Sequence, residues 1–420
     1  MPQFCVKGGI PLRGSIRIHG SKNASLPILA ATLLTEEPCV LHNVPDISDV
    51  HAFIDILKGV GGEVKFEKGT VHVQTKKIKN ATASPELVKH MRASILLMGP
   101  MLARHGEIEL AFPGGCVLGK RSIHAHTHAF TKLGAEILEK ECAVKARRKT
   151  LKGTHVLMSE ASVTATENAV MAAVLAEGKT TIHWAAMEPH VQDLCRFLVK
   201  MGAKIEGIGT HTLVIHGVEK LHGTEYTVTS DYLEAATLAL AALLTRGEVT
   251  LQGIVPGHLE SFWQKLEEVG ARFEIEKDCV TLKPLPKGDY FKPVEQLKTA
   301  VFPGFATDLQ APFSILLTQA KGESRIFETL FEGRLNYLFE LEKMGAKIEL
   351  HNPQQATIHG PTLLQGASIK SCDIRAGAAM VLAALAAQGT TYIHDIDYID
   401  RGYEKLDEGL RKLGAKIERK

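Results

Sequence analysis

The sequence predicts an α/β protein of two domains, each an inside-out α/β barrel with helices inside and sheets outside. One observation is a short phrase that recurs six times at steps of about 70 residues, which indicates one supersecondary unit copied six times. A second observation is an alanine- and leucine-rich helix in each unit that is apolar on nearly every side. Such a helix must be enclosed, so the strands of its unit are expected to cover it.

The recurring phrase marks the end of a charged helix and the start of a strand. Its copies are VGGEV from Val60, LGAEI from Leu133, MGAKI from Met201, VGARF from Val269, MGAKI from Met344 and LGAKI from Leu413. In the helix predicted from Pro189, Val191, Leu194 and Leu198 share one face and charged residues lie opposite. Gly202 follows the last turn, where a left-handed residue commonly ends a helix.

The enclosed helices are predicted in segments such as 234–245 (EAATLALAALLT) and 375–388 (RAGAAMVLAALAAQ). None of these apolar runs reaches the roughly 20 residues that span a membrane. The opening MPQFCVKGG lacks the apolar core of a signal peptide. We therefore expect a cytoplasmic protein without membrane insertion.

The composition is that of an ordinary globular chain, with 45% hydrophobic and 23% charged residues among 420. A formal charge of +2 does not indicate a nucleic-acid partner, which usually requires a strongly basic domain. Seven cysteines without C-x-x-C spacing favour reduced thiols over a disulfide framework or a zinc site. The cysteines interpreted as inert and buried are Cys5, Cys39, Cys142, Cys195 and Cys279. Nothing in the sequence implies an oligomer.

The domain boundary follows from the repeats, because three units precede residue 230 and three follow it. The segment 4–20, FCVKGGIPLRGSIRIHG, comes before the first unit and is predicted to complete the last one. The predicted domains are therefore residues 22–230 and residues 1–21 plus 231–420, joined by two crossings of the chain.

The predicted first helices of the units open on polar residues, several of which are suitable N-caps. These openings are Ser21-Lys22-Asn23, Met91-Arg92-Ala93-Ser94, Ser162-Val163-Thr164, Ser230-Asp231, Thr307-Asp308 and Asp373-Ile374-Arg375. Asp231 and Glu234 have the spacing of a capping box. Capping alone could explain the Ser, Thr and Asp residues, but it does not explain the cations among them.

A cation in a first helical turn is opposed by the helix dipole by roughly 0.3–1 kcal/mol. Lys22, Arg92 and Arg375 are nevertheless predicted there, and Arg121, Arg334 and Arg401 at or just before the second helices. Helix N-termini bind anions, so these six cations predict a ligand that carries phosphate and carboxylate groups. The alternative for each is a solvated surface cation.

The segment 111–121, AFPGGCVLGKR, places Cys116 in a glycine-rich loop beside Lys120 and Arg121. Nearby cations favour the thiolate, which suits a proton donor or a nucleophile. His124, His126 and His128 follow; on a strand they could bind a metal, but on the predicted helix only His124 and His128 share a face. We interpret this triplet as a polar helix face and predict no metal site.

The chain resembles the enolpyruvyl transferases from about residue 3 to residue 420. The segments that carry the resemblance are GSKNASLPILAA (20–31), MRASILLMGPMLAR (91–104), FPGGC (112–116), TDLQ (307–310), IRAGAAMVLAAL (374–385) and IDRGYE (399–404). The resemblance implies two lobes that close on substrate. It also implies transfer of the enolpyruvyl group of phosphoenolpyruvate to the 3-hydroxyl of UDP-N-acetylglucosamine, with release of phosphate and without metal or cofactor. This reaction is the first committed step of peptidoglycan synthesis.

The resemblance also implies the roles of individual residues. Cys116 would be the catalytic thiol, able to form a covalent adduct and to be alkylated by fosfomycin, and Asp308 the general base. Lys22 and Arg401 would be catalytic as well. The residues implied for phosphoenolpyruvate are Lys22, Asn23, Arg121, Arg334, Arg375 and Arg401. Those implied for the UDP-sugar are Asn23, Arg92, Arg121, Ser122, Ile123, His124, Ala125, Ser162, Val163, Thr164, Asp308 and Leu330.

This chain departs from the family pattern on the acceptor side. Arg121-Ser122-Ile123-His124-Ala125-His126 stands where the family has R-P-V-D-x-H, Thr164 replaces a glycine, Ala306 a proline, and His190 an acidic residue. We interpret these departures as shifted nucleotide contacts with the same acceptor. An altered acceptor, a shikimate-phosphate enolpyruvyl transferase and a non-catalytic regulator that binds a nucleotide sugar remain alternatives.

Overall fold

The computed structural model describes residues 2–82, 86, 88, 91–112, 122–140 and 142–420. Its α-helices are α1 (Lys22–Ala31), α2 (Ser48–Gly59), α3 (Met98–Pro100), α4 (His124–Lys132), α5 (Val163–Ala173), α6 (Pro189–Lys200), α7 (Tyr232–Leu244), α8 (Glu260–Glu268), α9 (Gln310–Leu317), α10 (Leu338–Lys343), α11 (Ile374–Ala386), α12 (Asp397–Asp400) and α13 (Leu406–Lys412). Short 3₁₀-helices cover Thr32–Leu34, Arg92–Leu97, Pro256–Leu259 and Thr307–Leu309, and a π-helix covers Met101–His105.

The strands are β1 (Gln3–Lys7), β2 (Arg13–Arg17), β3 (Cys39–His42), β4 (Glu63–Glu67), β5 (Thr70–Gln74), β6 (Glu107–Ala111), β7 (Glu136–Glu139), β8 (Ala143–Arg147), β9 (His155–Leu157), β10 (Lys179–His183), β11 (Lys204–Glu206), β12 (Thr212–His216), β13 (Glu225–Thr227), β14 (Glu248–Gln252), β15 (Arg272–Ile275), β16 (Cys279–Lys283), β17 (Leu297–Lys298), β18 (Gly322–Phe327), β19 (Lys347–Asn352), β20 (Gln355–Gly360), β21 (Ser368–Lys370), β22 (Thr390–His394) and β23 (Lys416–Arg419).

These elements belong to two compact units. The middle unit contains the described residues between 20 and 229, and the terminal unit contains residues 2–19 together with 230–420. Each unit has its own core of buried apolar side chains.

One sheet topology recurs throughout the described chain. An edge strand runs parallel to a central strand, which pairs antiparallel with the third strand, and the third with the fourth. The middle unit has sheets β13-β3-β5-β4, β9-β10-β12-β11 and β6-β8-β7, and the terminal unit has β2-β14-β16-β15, β17-β18-β20-β19 and β21-β22-β1-β23. In the three-stranded sheet, a parallel bridge from Thr82 to Glu109 takes the place of the edge strand. The predicted copying of one unit is confirmed.

The first strand of the chain belongs to the last sheet. β1 pairs antiparallel with both β22 and β23, and β2 runs parallel to β14. The expectation that the opening segment completes the last unit is therefore confirmed for β1 and wrong for β2, which joins the sheet of β14, β15 and β16.

The helices lie inside the sheets, as the sequence predicts. Every residue of α7 is buried, whereas β14 alternates between buried and exposed side chains. In α6, Val191, Leu194 and Leu198 are buried, and Gly202 after this helix adopts φ +103°, the left-handed value expected of a helix end. Among the described residues, no helix is both long enough and apolar enough to cross a bilayer.

Several local predictions are wrong. Asp231 caps α7 by accepting from the amides of Leu233 and Glu234, but the Glu234 carboxylate accepts from the backbone and ring of His19, so no capping box forms. Cys142 is exposed because it lies in the turn between β7 and β8, and Cys5 and Cys279 are only partly buried, whereas Cys39 and Cys195 are buried as expected.

The helix openings also differ from the prediction in places. Arg92 begins a 3₁₀-helix rather than an α-helix, whereas Arg334 lies in the turn just before α10, as expected. Arg401 follows the last residue of α12, at the C-terminal end of a helix, where the dipole favours a cation. Lys22 and Arg375 do lie in the first turns of α1 and α11.

Candidate active site

In the terminal unit, the carboxylate of Asp308 lies against two buried arginines. Arg334 donates from Nη2 to Asp308 Oδ1 at 2.7 Å, and Arg375 donates from Nε to Oδ2 at 3.1 Å. Both guanidinium groups are almost fully buried, while the Asp308 side chain is 28% exposed. The arrangement concentrates positive charge around one carboxylate that solvent can still reach.

Arg334 is fixed on its other edge by the residue before Asp308. Its Nη1 donates to Thr307 Oγ1 at 2.7 Å, and Thr307 in turn donates to Glu328 Oε2 at 2.8 Å. The guanidinium also lies 5.3 Å from the centre of the Phe331 ring. These contacts hold the group while leaving Nη2 to the carboxylate.

Arg375 is positioned by the start of α11. Asp373 caps this helix by accepting from the amides of Arg375 and Ala376, and the Arg375 guanidinium stacks 5.1 Å from the centre of the Tyr403 ring. Its Nη1 group is buried and has no hydrogen-bond partner among the described residues. A buried guanidinium N–H without a partner is expensive, so this group is suited to an anionic ligand.

The two arginines determine the acidity of Asp308. Burial alone would raise the pKa of this carboxyl, but the charges of Arg334 and Arg375 and their hydrogen bonds outweigh burial and hold the pKa well below its ordinary range. Asp308 is therefore a weak base as long as it keeps both arginines. An anion that paired with Arg334 and Arg375 would raise the pKa of Asp308 and make this carboxylate a stronger base.

Two other predicted residues of the terminal unit, Arg401 and Leu330, have different surroundings from Asp308. Arg401 is half-buried after α12, and Gly402 next to it has no room for a side chain, because a Cβ there would come within 2.4 Å of Ile374 Cγ2. Leu330 is 38% exposed, and its amide donates to Glu328 Oε1 at 2.9 Å.

In the middle unit, Lys22 is buried at the start of α1 and forms an ion pair with Asp49. The distance from Lys22 Nζ to Asp49 Oδ2 is 2.7 Å, and Asp49 is itself buried in the first turn of α2. Ser21 caps α1 by accepting from the Ala24 amide, and Asn23 is half-buried beside Lys22.

A buried amide fixes the tautomer of His126. The backbone amide of Gly99 donates to Asn168 Oδ1 at 2.7 Å, so Asn168 Nδ2 is the donor to Ile95 O and to His126 Nδ1, both at 2.9 Å. His126 Nδ1 is therefore the acceptor, and the ring proton lies on Nε2. This nitrogen faces Thr164 Oγ1 at 3.3 Å, so His126 donates to Thr164 at the start of α5.

Burial lowers the pKa of His126 to about 3, and the charge of Arg92 acts in the same direction. Because the unfolded chain binds a proton near pH 6.5 and the folded chain does not, stability is lost as the pH falls from 6.5 towards 3. We expect the depressed pKa of His126 to lower the free energy of unfolding by about 2 kcal/mol as the pH falls from 7.5 to 5.0. Urea unfolding at both pH values checks this, and His126→Gln should show a correspondingly smaller loss. An equal loss in the two proteins would contradict the assignment.

The other predicted UDP-sugar residues of the middle unit gather around α4 and α5. Ser122 accepts from the amide of His124 at 3.0 Å, and Ile123 and Ala125 are buried. Ser162 and Val163 begin α5, and Ser162 makes no capping hydrogen bond with its side chain. The rings of His124 and His128 stack at 5.9 Å on a helix, as expected for residues that share a face. Cys116 and Arg121 lie outside the described residues.

Residues that sequence reasoning missed support the predicted ones. They are Asp49 for Lys22, Thr307 and Glu328 for Arg334, and Tyr403 for Arg375; Asn168 orients His126, which was not itself predicted as a site residue. Two of them stood inside segments already singled out, Thr307 in TDLQ and Tyr403 in IDRGYE. Neither segment indicated which cation its residue would contact.

Residues 6–418 match the sequence profile of the EPSP synthase family, described as EPSP synthase (3-phosphoshikimate 1-carboxyvinyltransferase). The chain therefore belongs to this family of enolpyruvyl transferases, which confirms the resemblance.

Named relatives extend this result. The chain is 46% identical to UDP-N-acetylglucosamine 1-carboxyvinyltransferase from Methylacidiphilum infernorum, over 100% of this chain and 99% of the relative. The crystal structure of the enolpyruvyl transferase NikO from Streptomyces tendae is similar at 26% identity with a TM-score of 0.90, covering 100% of this chain and 98% of that one. An EPSP synthase from Acinetobacter baumannii shares the fold at 19% identity with a TM-score of 0.76, over 100% of both chains. The predicted fold class is confirmed.

Proposed function

We propose that this chain transfers the enolpyruvyl group of phosphoenolpyruvate to the 3-hydroxyl of UDP-N-acetylglucosamine and releases phosphate. The observation that carries this proposal is the carboxylate of Asp308 between two buried arginines, because it supplies a base and an anion-binding pair in one place. The full-length relative with the activity in its name supports the choice of acceptor. In this proposal the reaction belongs to peptidoglycan synthesis in the cytoplasm.

The reaction has two halves. The methylene carbon of phosphoenolpyruvate gains a proton, and the 3-hydroxyl oxygen attacks the resulting oxocarbenium centre as its own proton passes to a base. The adduct then loses a proton from the new methyl group while its bond to the phosphate oxygen breaks, giving the enolpyruvyl ether and inorganic phosphate. Fixed cations stabilise the charge that develops on the phosphate.

The roles follow the family pattern. Cys116 delivers the proton to the methylene carbon, and Asp308 accepts the proton of the sugar hydroxyl. The cations proposed to bind phosphoenolpyruvate are Lys22, Arg121, Arg334, Arg375 and Arg401, together with the amide of Asn23. When the carboxylate or phosphate of this substrate pairs with Arg334 and Arg375, it offsets the effect of their positive charge on Asp308. The pKa of Asp308 then rises from its depressed value, and the carboxylate becomes a stronger base.

The nucleotide side of the proposal involves the residues around α4 and α5, with Arg92 and Leu330. His124 and Thr164 stand where the family has aspartate and glycine, so the contacts with the nucleotide are expected to be shifted. Because His126 donates to Thr164, the Thr164 hydroxyl keeps its own proton for an acceptor atom such as an oxygen of the ligand.

The test is release of phosphate from phosphoenolpyruvate with a series of UDP-sugars and with shikimate 3-phosphate. We expect release with UDP-N-acetylglucosamine and none with shikimate 3-phosphate. Release with a different UDP-sugar alone would indicate an altered acceptor. Binding of a nucleotide sugar without any release would favour the non-catalytic regulator.

Cys116→Asp should retain part of the transfer activity and resist fosfomycin. A carboxylic acid can still donate a proton, but it is a poor nucleophile towards the epoxide. Phosphate release with and without prior exposure to fosfomycin measures both effects. Cys142→Ser, which changes an exposed thiol elsewhere in the middle unit, is the control and should stay sensitive. If Cys116→Asp were inhibited as strongly as the parent, Cys116 would not be the alkylated residue.

A further inference from the structure

Glu328 is a fully buried carboxylate directly after the last residue of β18. Its Oε1 accepts from Thr299 Oγ1 at 3.1 Å and from the amides of Leu330 and Phe331 at 2.9 and 3.2 Å. Its Oε2 accepts from Thr307 Oγ1 at 2.8 Å. Within the described chain no lysine, arginine or histidine forms an ion pair with it, so Glu328 is a buried charge satisfied by neutral donors.

The two oxygens of Glu328 have different tasks. Oε1 fixes the backbone of the turn that follows β18 by accepting from its amides, which is a structural role. Oε2 takes the single proton of the Thr307 hydroxyl, so the Thr307 oxygen can only accept from its other neighbour, Arg334 Nη1 at 2.7 Å. The direction of both hydrogen bonds is therefore set by the carboxylate.

These two hydrogen bonds, from Thr307 to Glu328 and from Arg334 to Thr307, form a relay that gives the two terminal nitrogens of the Arg334 guanidinium different partners. Nη1 donates to Thr307, while Nη2 contacts the Asp308 carboxylate, which is partly exposed to solvent. We propose that Glu328 is a positioning residue that acts through Thr307 to keep the Nη2 edge of Arg334 turned towards the anionic substrate. This inference rests on the proposed function and adds to it a residue that does not itself contact the substrate.

Glu328→Gln separates the two tasks. Glutamine keeps one oxygen for the donors at Oε1 and replaces Oε2 with an amide group that donates. Thr307 must then turn its proton elsewhere, and the hydrogen bond that fixes Arg334 is weakened. Because hydrogen bonds to charged groups are the strong ones, we expect the KM for phosphoenolpyruvate to rise about tenfold, with a smaller change in kcat.

The relay makes a second prediction about Thr307. Thr307→Val removes the hydroxyl and should raise the same KM by about tenfold, and Thr307→Ser should recover most of the loss. If Glu328 acts through Thr307, then adding Glu328→Gln to Thr307→Val should change the KM by less than about twofold. Glu332→Gln, an exposed neighbour that loses the same charge, is the control and should leave the KM within about twofold of the parent.

Steady-state kinetics with saturating acceptor, together with the thermal midpoint of each variant, completes the test. A lower midpoint for Glu328→Gln with an unchanged KM would leave Glu328 a purely structural role and overturn the proposal. Additive effects in the double variant would do the same. If the parent transferred no enolpyruvyl group, the proposed function would fail, and the Kd of inorganic phosphate measured by calorimetry on the same variants would still decide whether the relay positions Arg334.

Discussion

Asp308→Asn is expected to lower enolpyruvyl transfer by about 10²- to 10⁴-fold while raising the affinity for phosphoenolpyruvate about tenfold. The loss follows from removing the general base. The gain follows because the Asp308 carboxylate competes with the substrate for Arg334 and Arg375, and asparagine competes less well. Calorimetry with phosphoenolpyruvate and with inorganic phosphate measures the gain apart from turnover.

The same variant leaves two buried cations without their carboxylate. Such a change typically costs about 3–5 kcal/mol of stability, so the thermal midpoint of Asp308→Asn should fall and phosphate should restore part of it. Asp373→Asn is the matched control, since it removes a charge near Arg334 but keeps the oxygen that caps α11. Its anion affinity should change by less than about twofold. Weaker anion binding by Asp308→Asn would show that the carboxylate organises the arginines rather than competing for them.

Asn168→Ala should be among the most destabilising substitutions in the middle unit. The side-chain amide of Asn168 accepts from the Gly99 amide and donates to the Ile95 carbonyl and to His126 Nδ1. All three groups are buried and would lose this hydrogen bond. At about 1–3 kcal/mol for each unsatisfied group, the expected loss is at least about 3 kcal/mol. The thermal midpoint should therefore fall on the order of 10 °C.

The control for this prediction is Asn80→Ala. The Asn80 amide donates to Gly59 O at 2.9 Å, but the contact is exposed to solvent, which can replace it. Its loss should lower the midpoint by less than about 2 °C. Equal shifts for the two variants would mean that Asn168 is not the centre of a buried network.

The fold could be predicted because its main signals are local and repeated. The Gly-Ala phrase, the apolar helices and the charged helices each depend on residues only a few positions apart, and six copies reinforce one another. The capping box at Asp231 failed for the opposite reason. Glu234 satisfies this local pattern, yet its carboxylate bonds to His19, which lies 215 positions away in the sequence and completes the terminal unit.

The site was only half predictable. Lys22, Arg334 and Arg375 were predicted because cations at or just before helix starts are unfavourable without an anion, whereas the role of Asp308 came from the family resemblance. Their partners were not found, because a buried polar residue such as Glu328 looks the same in the sequence as an exposed one. What distinguishes it is the set of donors that the fold brings to it, including the amides of its own turn and the hydroxyl of Thr307.

The place of β1 in the last sheet constrains how a newly made chain can mature. All residues of the middle unit have been synthesised once the chain reaches residue 229, whereas β1 has no partner until Thr390–His394 has been synthesised. β1 therefore stays unpaired through most of translation, whereas β2 can pair as soon as Glu248–Gln252 of β14 has been made. The last sheet of the terminal unit can therefore form only after β22 and β23 have been synthesised, long after the middle unit could have folded.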